Sequence, residues 1–198
     1  MVWARGDDRH RQRLIPEASA REGKFAVNIV CSRHLELTPA RRLQLDAVAH
    51  AEFEQYAIVR ETEWATADWT FQALEGDVPV SYYNIVDRTV SIDGVATRVA
   101  GLNNMVTMPG HRGRGAASAL LRQTQPRWFE ELRAECGLLL CVDALLPFYS
   151  RLGWEKVKGR IVYSQPGGVR VWTANCMLLK APREVTSIRE IDLCGLPW

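Results

Sequence analysis

The glycine-rich segment around position 113 has the residue types of a phosphate-binding turn. His111, Arg112 and Arg114 supply positive charge, while Gly113 and Gly115 have no Cβ atom to hold a phosphate away from the backbone. A stretch rich in alanine and leucine follows directly. Because the first turn of a helix carries unpaired N–H groups and a partial positive charge, the segment is predicted to bind a diphosphate group.

Two common diphosphate-binding motifs do not fit this segment. A P-loop requires lysine and then serine or threonine after its last glycine, where this chain has Ala116 and Ala117. A Rossmann turn requires a third glycine, where Ser118 stands, and an acidic residue on a following strand. From the turn alone, a capped helix with solvated basic residues is an equally good interpretation.

The elements that must position the turn follow from the hydrophobic pattern. Thr38 is a typical N-cap and Pro39 a typical first helical residue, whereas Pro126 is expected to kink or break the long helix that follows the turn. The predicted strands cover residues 25–31, 69–74, 80–90, 97–108, 138–142, 154–158, 160–164 and 169–179, and the predicted helices cover 39–56, 111–135 and 146–152. This order predicts an α+β or mixed α/β fold, mostly antiparallel, with a parallel crossover around the long helix.

Composition indicates one globular domain of 25–198 behind a charged arm, residues 1–24, that we expect to be disordered. The net charge of +2 gives no reason to expect a nucleic-acid partner. No apolar run is long enough to span a bilayer and no signal peptide is visible, so we expect no membrane association. The five cysteines and four histidines are scattered, which predicts free thiols, a cytoplasmic location and no bound metal.

Two motifs in the expected order give the chain its resemblance to a known family. Arg112-x-x-Gly115-x-Ala117 resembles the pyrophosphate motif of the GCN5-related N-acetyltransferase (GNAT) family. The run PFYSRLGW, which begins at Pro147, resembles the second signature of that family, a short helix after a buried strand. The resemblance implies a strongly twisted mixed sheet that is splayed at its central strands, flanked by helices and able to bind acetyl-CoA.

The resemblance also implies roles for individual residues at the cofactor. Backbone groups of Met105, Val106 and Thr107, with Met108 beside them, would bond to pantetheine like an added strand. Tyr149 resembles the general acid of the family, although a core tyrosine with a satisfied hydroxyl is the alternative. The pyrophosphate would be received by the amides of Arg112, Gly113, Arg114, Gly115, Ala116 and Ala117.

On the acceptor side the chain looks nearest to the aminoglycoside 2′-N-acetyltransferases, but it departs from them at one position. Those enzymes carry a glutamate where Asn103 stands, and asparagine cannot act as a general base. Asn103 and Asn104 are interpreted as a splay point or a substrate contact, and Trp198 either returns its carboxylate to the acceptor pocket or simply packs. The carboxylates predicted to attract a cationic amine are Glu52, Glu54, Glu61, Glu63 and Asp68, with Glu63 also part of the resemblance.

The expected reaction is transfer of an acetyl group from acetyl-CoA to a primary amine of a small cationic acceptor, by direct attack in a ternary complex. An aminoglycoside-like sugar is one such acceptor. Two alternatives stay open: a longer acyl donor, or a non-catalytic module that senses acyl-CoA. A homodimer is also left open.

Overall fold

The computed structural model describes residues 27–180 and 184–198, so the predicted arm at 1–24 and the start of the first predicted strand lie outside the described residues. The described strands are β1 (Asn28–Arg33), β2 (Trp69–Glu75), β3 (Val78–Ile92), β4 (Val95–Thr107), β5 (Cys136–Cys141), β6 (Trp154–Val157), β7 (Arg160–Gln165), β8 (Gly168–Val171), β9 (Asn175–Leu179) and β10 (Glu190–Asp192). The helices are α1 (Pro39–Phe53), α2 (Ala57–Glu61), α3 (Ala116–Glu130) and α4 (Leu146–Ser150). None of these helices is long and apolar enough to cross a membrane.

The strands form one mixed sheet that branches at β3. Its main path runs β6-β9-β5-β4-β3-β10-β7-β8, and β2 and β1 extend from the first part of β3. β4 and β5 are parallel and are joined through α3, which confirms the predicted crossover. The predicted mixed α/β class with a mostly antiparallel sheet is therefore confirmed.

Helix α1 begins where the sequence predicts. The Thr38 hydroxyl accepts a hydrogen bond of 3.2 Å from the Arg41 backbone N–H, and Pro39 occupies the first helical position. Leu45 faces the sheet, where the Tyr82 hydroxyl donates to its carbonyl oxygen over 2.7 Å. These contacts fix α1 to one face of β3.

Helix α3 is shorter than the predicted segment 111–135. Pro109–His111 forms a separate 3-10 turn, and Gly115 is left-handed at φ 82°, so regular helix starts only at residue 116. Pro126 lies inside α3 without ending it, contrary to the prediction of a break. Proline has no N–H to bond to the carbonyl oxygen four residues earlier, that of Arg122. Both Pro126 and Arg122 are exposed, so this carbonyl lies on the solvent side, while the buried face of the helix holds α3 in place.

The closing strands differ from the sequence prediction in two respects. The predicted strand 169–179 is two strands: β8 pairs with β7, whereas β9 lies between β5 and β6. The turn between them contains Trp172, a buried residue whose indole N–H donates to the Asn175 carbonyl oxygen over 3.2 Å. The unpredicted β10 pairs antiparallel with β3 and parallel with β7, so the β4–β5 crossover is not the only parallel pairing among the described residues.

A row of edge-on aromatic rings packs under α3 and α4 on one face of the sheet. The ring centroids of Tyr83 and Trp128 are 5.7 Å apart, those of Trp128 and Trp154 6.0 Å, and those of Trp154 and Tyr149 5.9 Å. The opposite face is covered by α1 and by the C-terminal segment that ends in buried Trp198. The rings therefore join α3 to α4 through the core.

Candidate functional site

The central strands β4 and β5 separate partway along their length. Their parallel pairing runs from Val99 opposite Cys136 to Leu102 opposite Leu139 and then stops. β4 continues to residue 107 and β5 to residue 141, where β5 is still paired with β9 on its other side. Past Leu102, the edge of β4 that faces β5 therefore has backbone groups without a strand partner.

A β-bulge lies in β4 at the start of this opening. Asn84 of β3 pairs with Asn103 and Tyr82 pairs with Val106, so Tyr83 faces two residues of β4. One of these, Asn104, has a φ of 49°, a left-handed conformation that asparagine tolerates better than most residues. The irregular backbone that the Asn103-Asn104 pair suggested is present, and it alters the course of residues 105–107.

The glycine-rich loop joins the end of β4 to α3, and its residues 112–115 are exposed. Gly113 and Gly115 have φ of 72° and 82°, and a Cβ added at either would meet no atom within 4 Å. Glycine is therefore needed here for the left-handed backbone, and the space in front of both residues is open. The first α-helical bond joins the Ala119 N–H to the Gly115 carbonyl oxygen at 2.9 Å, so the amides of residues 116–118 precede the helical ladder.

Arg112 links this loop to α1. Its Nε donates to the Thr107 carbonyl oxygen over 3.1 Å, and its Nη2 donates to the Glu52 carboxylate over 2.5 Å. Both partners of this ion pair are partly exposed, at 49% for Arg112 and 39% for Glu52. Glu52 was predicted as an acceptor-site carboxylate, but it contacts the loop, and this contact could not be predicted because the two residues are 60 positions apart in the chain.

Tyr149 is a buried residue of α4 and lies at the end of the aromatic row. It is 5% exposed and packs edge-on against Phe148 and Trp154. Burial raises the pKa of its hydroxyl well above the ordinary value, with a further contribution from the nearby Cys141. The phenol is therefore neutral at physiological pH and can donate a hydrogen.

Trp198 packs beside the point where β4 and β5 part. Its side chain is 3% exposed, its indole N–H donates to the Leu138 carbonyl oxygen over 3.4 Å, and a Cβ added to Gly101 would lie 2.2 Å from its ring. Arg88 holds the same segment by donating to the Leu196 carbonyl oxygen over 2.7 Å. The packing interpretation therefore describes the ring, and the role of the carboxylate stays a hypothesis.

The carboxylates predicted around the acceptor do not form one cluster. Glu52 pairs with Arg112, Glu54 pairs with His50 at 3.0 Å, and Asp68 accepts from the Asp87 backbone N–H at 2.8 Å.

Only Glu61 and Glu63 lie together, at a shallow cavity of about 550 Å³ that Arg170 also lines. Gln165 of β7 binds both backbone groups of Glu63 at 2.9 Å. Since β7 is the third strand from β4, strand spacing places this anchor roughly 14 Å away from β4. Glu63 is therefore not brought next to Asn103 through its backbone.

A polar row that the sequence analysis did not identify crosses the sheet to Asn103. Ser32 of β1 pairs with Thr70 of β2, Thr70 pairs with Asn84 of β3, and Asn84 pairs with Asn103 of β4. Directly paired residues project from the same face. Thr70 is fully buried and Asn84 is 4% exposed. The signal in the sequence is a polar residue at an inward position of an apolar strand, but only the register shows that these residues are neighbours.

No cluster of three or more His, Cys, Asp or Glu side chains suited to a metal ion occurs in residues 27–180 or 184–198. Asn103 and Asn104 are half-buried, and their side chains make no hydrogen bond within the same described parts of the chain. The site thus combines an opened sheet edge, an exposed glycine-rich loop, a neutral buried phenol and a pair of unbonded amide side chains.

Comparison with known proteins supplies a family for this arrangement. A family model described as an acetyltransferase (GNAT) domain matches residues 38–157. No curated protein matches the chain.

Several solved structures share the fold. Escherichia coli ElaA is 17% identical with a TM-score of 0.55, over 77% of this chain and 99% of its own. An acyl-CoA N-acyltransferase from Pseudomonas aeruginosa is 19% identical with a TM-score of 0.53, over 78% of this chain and 99% of its own. The GNAT family N-acetyltransferase YhbS from Escherichia coli, solved in complex with CoA, is 15% identical with a TM-score of 0.54, over 89% of this chain and 98% of its own.

Proposed function

The chain belongs to the GNAT acetyltransferase family, and from this premise we propose that it transfers the acetyl group of acetyl-CoA to a primary amine of a small cationic acceptor. The amine attacks the thioester directly while both substrates are bound. The observation that carries this proposal is the parting of β4 from β5 after Leu102, directly before the glycine-rich loop that leads into α3. An acyl-CoA needs both features, an edge for its pantetheine amides and a positive turn for its diphosphate.

The cofactor lies along the open edge of β4 in this proposal. Backbone groups of Met105, Val106 and Thr107 bond to pantetheine, and the amides from Arg112 to Ala117 receive the diphosphate. The YhbS structure, which holds CoA on a similar fold, supports an acyl-CoA as the ligand.

The chemistry requires one bond to form and one to break. The amine first loses a proton to water, and its nitrogen then bonds to the thioester carbon. As the carbon–sulfur bond breaks and CoA leaves as a thiolate, the same nitrogen gives its second proton to water, so that a neutral amide forms. A backbone N–H between Met105 and Thr107 polarises the carbonyl oxygen. Tyr149 is protonated at neutral pH, donates its proton to the thiolate and recovers one from solvent. Burial raises the pKa of this phenol and makes it a weaker acid than an exposed tyrosine, so the proposed role depends on its closeness to the thiolate.

The acceptor is proposed to bind on the face of the bulge. Asn103 and Asn104 offer unbonded amide groups there, and the carboxylate of Trp198 supplies negative charge for a cationic amine. Glu63 contributes long-range attraction from its cavity and does not act as the base. Because Asn103 cannot accept a proton, a chain of water molecules carries the proton from the amine to solvent.

The test measures acetyl-CoA binding by calorimetry and thiol release with a panel of amines that includes aminoglycosides, polyamines and amino acids. Tyr149→Phe should lower kcat about 100-fold with little change in acetyl-CoA affinity, since a general acid contributes at least that much. Tyr163→Phe, a buried tyrosine on the opposite face, is the matched control and should keep the wild-type kcat. Binding of acetyl-CoA without thiol release for any amine would indicate a sensor, and equal kcat in both variants would exclude the acid role.

A further inference from the structure

Asn84 has a side chain whose orientation is fixed by its neighbours in the polar row. The Thr70 hydroxyl donates to Oδ1 of Asn84 over 2.8 Å, and Nδ1 of His34 lies 2.9 Å from the same hydroxyl oxygen. A hydroxyl has a single hydrogen, so the Thr70 oxygen accepts from His34, which carries a proton on Nδ1. The chain His34–Thr70–Asn84 thus occupies the carbonyl end of the amide and directs its NH2 end away from β2, toward β4.

The NH2 end of Asn84 has nothing to bond to in the described parts of the protein. Its only side-chain hydrogen bond there is the one that Oδ1 accepts. Nδ2 has no partner, yet it does not belong to the set of unpartnered polar atoms that are fully buried. This nitrogen therefore belongs to the 4% of Asn84 that is exposed. A donor that is fixed in direction, has no protein partner and is open at one point is available to a ligand, which would replace water there.

The opening lies at the acceptor side of the bulge. Asn84 is directly opposite Asn103, the residue after which β4 loses its regular pairing. The apolar cluster of Tyr82 and Val106 under α1 lies to one side of the row, and the cluster of Val86 and Trp198 lies to the other. The unbonded amides of Asn84 and Asn103 therefore form a polar gap between two apolar surfaces.

We propose, building on the proposed acetyl transfer, that Asn84 determines which amines are accepted by donating a hydrogen bond to an oxygen on the carbon next to the amine-bearing carbon. The attacking nitrogen must keep its lone pair for the thioester, so an amide N–H is useful only to a neighbouring hydroxyl or carbonyl oxygen. The favoured acceptors are then amino alcohols, amino sugars and α-amino amides, and simple alkyl amines are poor substrates. Thr70 and His34 are positioning residues that act through Asn84.

The experiment compares matched amine pairs in the thiol-release assay with acetyl-CoA: 2-aminocyclohexanol against cyclohexylamine, and glycinamide against propylamine. With kcat/KM expressed per unprotonated amine, so that the different basicities of the paired amines cancel, the wild-type protein should favour the oxygen-bearing member of each pair about tenfold, mainly through KM, as one hydrogen bond implies. Asn84→Leu and the isosteric Asn84→Asp both remove the donor and should bring the ratio close to one. The new negative charge in Asn84→Asp affects both amines of a pair alike, so its effect cancels in the ratio. The aspartate also keeps an oxygen that accepts the hydrogen bond from the Thr70 hydroxyl.

Thr70→Val should also abolish the preference, and Thr70→Ser, which keeps the hydroxyl, should restore it. Thr97→Val is the matched control, because Thr97 is equally buried but donates to the Val95 carbonyl oxygen away from the row. If acetyl-CoA binds in calorimetry but the wild-type ratio is near one, or neither member of either pair is acetylated, the inference is overturned. A wild-type ratio that survives in both Asn84 variants overturns it too, whereas failure to bind acetyl-CoA would contradict the proposed function itself.

Discussion

The role of the glycine-rich loop can be tested by adding a single methyl group at Gly115. Gly115 and Gly94 have nearly the same backbone, at φ 82° and 83°, and a Cβ added at either would meet no atom within 4 Å. Alanine at either position therefore creates no clash within the protein and carries the same left-handed strain, about 1–2 kcal/mol. Any further effect at Gly115 must come from what binds in front of it.

The two alanine variants should therefore be equally destabilised but differ in acetyl-CoA binding. Each should lower the melting temperature by roughly 2–8 °C in the absence of ligand. In Gly115→Ala the methyl group enters the space assigned to the diphosphate and displaces one charge-assisted hydrogen bond, a loss of about 1.5–3 kcal/mol. This corresponds to a rise of about 10- to 150-fold in the Kd of acetyl-CoA.

The assay pairs calorimetric titration of acetyl-CoA with thermal unfolding of the same samples. Gly94→Ala lies in the β3–β4 turn and should bind acetyl-CoA with the wild-type Kd. The reasoning is refuted if Gly115→Ala also binds with the wild-type Kd, or if Gly94→Ala loses as much affinity as Gly115→Ala.

Two further predictions concern charge and thiol reactivity. Glu52→Gln frees the Arg112 guanidinium for the diphosphate while the bond from Arg112 Nε to β4 remains. The Kd of acetyl-CoA should therefore fall up to about fivefold at low salt and less at high salt. Glu54→Gln is the matched control, and a weaker affinity in Glu52→Gln would show that the ion pair positions the loop. Burial raises the pKa of the Cys31 thiol to about 11, so its alkylation by iodoacetamide should accelerate about tenfold per pH unit up to that value, while exposed Cys194 is labelled first at pH 8. Peptide mass spectrometry reads both sites, and rapid labelling of Cys31 at pH 8 would contradict the buried environment.

The sequence predicted those structural elements whose boundaries are set by neighbouring residues in the chain. Thr38 and Pro39 fixed the start of α1, and the glycines at 113 and 115 marked the turn before α3. The break expected at Pro126 was wrong because a buried helix face outweighs one lost hydrogen bond on the solvent side. β10 has three residues and a single apolar one, Ile191, which is too short a pattern to indicate a strand, so its place between β3 and β7 is decided by pairing rather than by its own sequence.

The candidate site likewise has one part formed by residues close together in the chain and another formed by residues far apart. The glycine-rich loop is one continuous segment, so its residue types alone suggested an anion-binding turn, with a plain helix cap as the alternative. The Glu52–Arg112 pair and the row that leads from Ser32 to Asn103 join residues far apart in the chain, and a shift of one position in any strand pairing would separate them. Such contacts require the register of the sheet, which no single stretch of sequence contains.

The row of aromatic rings under α3 has a consequence for how the two ends of a bound cofactor relate to each other. In the proposed function, α3 presents amides to the diphosphate. Trp128 of α3 packs against Trp154, which in turn packs against Tyr149. Close-packed rings of this kind resist sliding. The distance from the glycine-rich turn to the Tyr149 hydroxyl is therefore fixed before an acyl-CoA binds. An acyl donor with a shorter or longer pantetheine arm could not contact the turn and the phenol at the same time.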